Sequence, residues 1–208
     1  GDHRDLHLSI RRQRQMCIRD SLTEGAANVA VGYEAGSTIT HVNSNNNVFM
    51  GHQSSVGGTG ARADCVAIGY RAWGNGGSAN NVGGSENVFI GSLSGNGTWA
   101  TAASDGNTAV GYGTMAGAMN SAQDNTAVGK GAMAALTEGH RNVGIGNNAL
   151  ASVTSGQSQG NVAIGYGAAD TLTTGDANLV IGSAALHVTN TSTSDCVIIR
   201  PRAADPIT

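Results

Sequence analysis

Residues 161–165 read NVAIG, and this five-residue word decides the fold because it recurs along the chain. The other copies are NVAVG (28–32), NVFMG (47–51), CVAIG (65–69), NVFIG (87–91), NTAVG (107–111), NTAVG (125–129), NVGIG (142–146), NLVIG (178–182) and CVIIR (196–200). Successive copies start 17 to 22 residues apart. A phase held over so many copies marks a repeat architecture, in which one unit is too small to bury itself and stacks on its neighbours.

Each copy reads as a short strand, because alternate side chains in a strand share a face. Val162 and Ile164 fall on one face, with Asn161, Ala163 and Gly165 on the other. The first face is β-branched in nearly every copy, which suits a buried strand. The second is small at Ala30, Ala67, Ala109, Ala127, Gly144 and Ala163, with Phe49 and Phe89 as exceptions. Three residues past the motif Gly a small residue returns, as at Ala132, Ala149 and Ala168, and a variable Ser/Thr/Gly/Asn/Asp loop follows. The economical fold is all-β: a parallel β-solenoid of about ten coils, ~18 residues each, over residues 21–200. The β-branched stripe is expected to fill a thin core, and the motif Asn to stack as an amide ladder. The small stripe is expected to face partner chains in a homotrimer.

The composition agrees with a thin core. Of 208 residues, 12% are charged, 4% are aromatic and 32 are glycine, too little bulky apolar material for one thick interior. From Ser21 onward six Lys+Arg stand against eleven Asp+Glu, so the repeat body is mildly acidic and does not suit a polyanion such as nucleic acid. No apolar run reaches the length of a membrane span.

Catalytic and metal chemistry find little support. There is no CxxC or Cys/His cluster, and Cys65 and Cys196 read as buried thiols standing in for Asn. His41, His52, His140 and His187 are scattered through loops. Asp105, Asp124, Asp170 and Asp176 lie in turns, where Asx-turn chemistry accounts for them. GYGTMAG (111–117) resembles a nucleotide loop only in its glycines, since it repeats with the coil and lacks a βαβ context. Polysaccharide cleavage on a β-solenoid needs paired carboxylates in a cleft, and the acids here are mostly single. The chain is therefore expected to be no enzyme and to need no cofactor. Tyr33, Tyr70, Tyr112 and Tyr166 each follow the motif Gly, with His52 and Lys130 at the same phase. With Trp73 and Trp99 of the longer early loops, they are the candidate surface contacts, since rings with a polar handle suit sugars and proteins.

The pattern N-[TV]-A-[VI]-G-x-x-A, as in NTAVGKGAMA (125–134) and NVAIGYGAA (161–169), resembles the head repeats of trimeric autotransporter adhesins. NTAVGYGTMAG (107–117) is more similar still to repeats of phage tail-fibre and related surface proteins. The resemblance runs from Ser21 to about Arg200. It implies three chains packed as parallel β-rolls and, in fibres, a following self-cleaving chaperone domain, none of whose catalytic residues can be carried onto this chain. Spacing near 18 with variable loops favours the fibre over the adhesin head. The implied function is a structural and receptor-contact segment of a virion tail fibre, acting by multivalent adhesion to a host glycan or protein. The alternative is an adhesin head on a bacterial outer surface.

Residues 1–20 carry a resemblance of another kind. Back-translated, RRQRQMCIRDS (11–21) resembles the transposon end of a sequencing-library adapter, and GDHRDLH (1–7) the flow-cell end of the same adapter, in the same frame. The expectation is a non-native segment over 1–20, irregular in structure, joined in mid-repeat to a fragment of a longer protein. Residues 201–208 are expected to begin a truncated C-terminal region.

Overall fold

The computed structural model describes residues 26–37, 41, 43–57, 60–74, 83–99, 102–186 and 192–200. The segments 1–20 and 201–208, with Cys17 and His187, lie outside them. Among the described residues every regular element is a strand. The motif copies form β1 (Val29–Val31), β2 (Val48–Met50), β4 (Val66–Ile68), β6 (Val88–Ile90), β7 (Thr108–Val110), β8 (Thr126–Val128), β9 (Val143–Ile145), β10 (Val162–Ile164), β11 (Leu179–Ile181) and β12 (Val197–Ile199). They join in one ten-stranded sheet in that order. Two further strands, β3 (Arg62–Ala63) and β5 (Gly84–Ser85), pair with each other beside the longest loops.

All pairings are parallel and in motif register: Val162 lies between Val143 and Leu179, and Ile164 between Ile145 and Ile181. A parallel neighbour reached through one short coil, again and again, is a β-solenoid, as the repeat spacing predicts. Ten strands of one sheet bound nine intervals, and several intervals run through residues outside those described.

The motif Gly turns the corner. Gly129 has φ +131°, and a Cβ there would sit 2.5 Å from the carbonyl oxygen of Gly146 on the next coil. Coils stack too closely at this point for any side chain. The next inward residues are more surprising. Met115 (φ 48°), Met133 (φ 48°) and Leu150 (φ 50°) hold left-handed backbone, which bulky residues seldom adopt. Coil-to-coil hydrogen bonds hold them there, from Met133 N to Ala149 O at 2.9 Å and from Leu150 N to Ala168 O at 3.0 Å.

These inward residues correct the reading of the two faces. The strand alternation is as expected, but its sense is reversed. Ala67, Ala109, Ala127, Gly144 and Ala163 are buried inside their own chain, and Ala30 is half-buried. The β-branched residues point outward. The physical reason is cross-section. The opposite walls already fill the lumen with Met115, Met133, Leu136, Leu150, Val153 and Leu172, all fully buried. The strand wall then has room for little more than a methyl group: a Cβ on Gly144 would meet Met133 Cε at 3.2 Å. Phe89 points into the same lumen, and Gly95 makes the space, since a Cβ there would lie 2.5 Å from the ring. The small stripe therefore serves the chain's own core and does not face a partner chain.

The amide ladder forms. Each motif Asn that is followed by another Asn accepts, on Oδ1, both the backbone N–H and the side-chain N–H of the Asn one coil further on. For Asn142 these bonds come from Asn161 N and Nδ2, each at 3.0 Å. Its own Nδ2 donates to Asn125 Oδ1 at 3.1 Å and to Ser158 O at 2.8 Å, which ties the strand to the loop wall. The run from Asn87 to Asn178 is continuous, and Cys65 and Cys196 interrupt or end it. Both cysteines are free thiols. Cys65 is buried as expected, whereas Cys196 is half-buried, a correction to the sequence reading.

Candidate functional site

The reversed alternation leaves an apolar face on the outside of the sheet. Its first column runs Val29, Val48, Val66, Val88, Thr108, Thr126, Val143, Val162, Leu179 and Val197. The second runs Val31, Met50, Ile68, Ile90, Val110, Val128, Ile145, Ile164, Ile181 and Ile199. Every member is half-buried or exposed within the single chain, as with Ile145 at 39% and Ile164 at 38%. The strand pairing holds the two columns in register. A contiguous apolar surface of this kind is rare on a monomer and marks an interaction face.

An aromatic and polar ribbon flanks it, one residue past each corner Gly. Tyr33, Tyr70, Tyr112 and Tyr166 lie on it and are exposed, Tyr166 most of all at 64%. His52 stacks between Tyr33 (5.0 Å between ring centroids) and Tyr70 (5.5 Å). Arg71 reaches over Tyr70 at 5.8 Å, and Lys130 over Tyr112 at 5.9 Å. These contacts follow from the coil repeat, which sets equivalent positions about 4.8 Å apart, near ring-stacking distance. The sequence phase of His52 and Lys130 was the signal that they belong to the ribbon. The rings of Tyr33, His52 and Tyr70 cover one another's faces, and Tyr166 stands apart from them.

Trp73 and Trp99 do not join the ribbon, contrary to expectation. Both are fully buried, 5.3 Å apart, and pack on Phe89 at 5.6 Å each. Left-handed backbone at Trp73 (φ 49°) turns its side chain inward, as it does at Met115 and Met133. Trp73 stands four residues past its motif Gly, the phase of the inward Met115, Met133 and Leu150, and that phase was the signal for its direction.

Among the described residues no group of three or more His, Cys, Asp or Glu is placed to hold a metal ion. Several turn acids have structural partners: Asp105 Oδ1 accepts Ser85 N at 2.7 Å, Asp176 Oδ1 accepts Gln159 N at 2.8 Å, and Asp64 Oδ1 accepts Asn46 Nδ2 at 2.9 Å. These bonds run between coils, beyond the local Asx turns expected. Burial pushes the Cys65 thiol up to about 12, although its hydrogen bond from Asn87 N acts the other way. It is therefore a poor nucleophile at neutral pH. No helix among the described residues is long and apolar enough to cross a membrane. No protein-family model, curated protein or solved structure matches the chain.

Proposed function

We propose that this chain is a non-enzymatic, homotrimeric segment of a fibrous surface assembly, a phage tail fibre or a close equivalent. The observation that carries the reading is the outward β-branched face, held in register across ten strands. Three copies covering that face would bury it as a shared interior. The number three rests on the resemblance of the repeat, and the choice of face rests on the packing. With about ten coils per chain, the assembly is a stiff rod and spaces what it carries. The ribbon of Tyr33, Tyr70, Tyr112 and Tyr166 is the contact surface in this reading, presented to a host glycan or protein. Equivalent coils on three chains add weak contacts into useful avidity. The variable loops favour the tail fibre over the head of a bacterial adhesin.

Light scattering after size exclusion of the full chain tests the assembly. A mass near three times 20.8 kDa, in an elongated profile, is the expected result. A stable monomer at micromolar concentration would contradict it.

A further inference from the structure

The residue three places before the motif Asn or Cys points into the solenoid. It is small at Ser44, Gly84, Ser104, Ala122, Ser158 and Gly175, and Arg62 breaks the rule. Arg62 is 1% exposed, with its guanidinium carbon 4.9 Å from the centre of the Trp73 ring. Its Nη2 donates to the carbonyl of Gly57. Nε and Nη1 of Arg62, and the indole Nε1 of Trp73 and of Trp99, find no acceptor among the described residues, although all are sealed from solvent. The cluster is thus rich in unpaired donors, while Ser55 Oγ and Asn96 Oδ1 are buried and unpaired as well.

It also lacks a counter-charge. Of the nearby acids, Asp64 and Glu86 are exposed, and Asp105, which reaches Cys65 electrostatically, accepts a hydrogen bond from Ser85 N. Burial lowers the Arg62 pKa to about 10, which leaves the group cationic at pH 7. Its titratable neighbour Cys65 is held near 12 and stays neutral there. A buried cation with one carbonyl acceptor, one aromatic face and no counter-charge costs several kcal/mol, so a structure that keeps one has a reason to bring in an anion.

We propose that the Arg62–Trp73–Trp99 cluster is an internal site for a small monovalent anion of the halide class. Arg62 Nε and Nη1 and the two indole N–H groups are its donors. A single negative charge matches the single guanidinium, and a halide needs only donors, which is what this cluster offers unpaired. The bound ion would tie Arg62 to the segments that carry Trp73 and Trp99. This inference does not depend on the proposed assembly.

Trp73 and Trp99 are the two tryptophans of the chain, so intrinsic fluorescence reads this site. The full chain is titrated with sodium bromide, with sodium gluconate holding ionic strength constant. The expected result is saturable quenching whose midpoint moves up with added chloride, and its loss in Arg62→Met. Crystals grown in bromide should show an anomalous peak within hydrogen-bond reach of the guanidinium. Quenching that is linear and insensitive to chloride, a saturable curve unchanged in Arg62→Met, or a water at that position in the bromide crystal would each overturn the proposal. If Arg62→Met loses the wild-type circular dichroism spectrum, Trp99→Phe replaces it, read on Trp73. Removing that one donor should weaken the bromide midpoint about tenfold, and an unchanged midpoint would overturn the site.

Discussion

Asn142 illustrates how a polar residue earns a place in so thin a core. Its carbonyl accepts two bonds from Asn161, and its amide donates one to Asn125 and one to the loop carbonyl of Ser158. Truncation strands partners on three sides, and each buried unsatisfied group costs about 1–3 kcal/mol. Asn142→Ala should therefore lose about 3 kcal/mol in chemical denaturation. Cys65 is the converse case. Its sulfur lies 3.5 Å from Gly84 O, the acceptor that an Asn amide would use at this point of the ladder. Cys65→Asn should stabilise the chain by about 1 kcal/mol, seen as a higher denaturation midpoint. The native thiol, held near 12, should resist alkylation at pH 9 in the folded protein and react once denaturant is added, as peptide mass spectrometry would show.

At the scale of one coil, the strand was legible and the return path was not. A five-residue word with alternating character announces a strand, its register and the corner Gly. The inward wall made by Met115, Met133 and Leu150 has no such word, because left-handed backbone turns those residues inward without any period of two or 3.6. Their bulk is what forces the strand wall to be small, so missing them reversed the reading of both faces. Phe89 against Gly95 could not be paired from sequence for the same reason. The corner itself makes a firm prediction. Gly129→Ala places a methyl group 2.5 Å from the Gly146 carbonyl on backbone at φ +131°. It should cost at least about 2 kcal/mol, whereas Gly113→Ala, with nothing within 4 Å, bears only the strain of its φ of +60° and should cost less. Thermal melts of the two variants would rank them.

Over the whole molecule, a stack of coils is stabilised by nearest-neighbour contacts, so its interior and its outward face can be probed separately. The common phase of the tyrosines was legible in sequence, and their exposure was not. The identity of the outward stripe was not legible either, because strand alternation names two faces without saying which looks inward. Ala163 and Ile164 are adjacent residues on opposite faces of β10, one buried and one 38% exposed. The most direct test of the account is the solution mass of Ile164→Asp and Ala163→Asp, each measured alongside its circular dichroism. The account predicts that Ile164→Asp keeps the β spectrum and falls from trimer to monomer, while Ala163→Asp loses the β spectrum. An Ala163→Asp chain that stays folded but dissociates, beside an Ile164→Asp chain that remains trimeric, would contradict it.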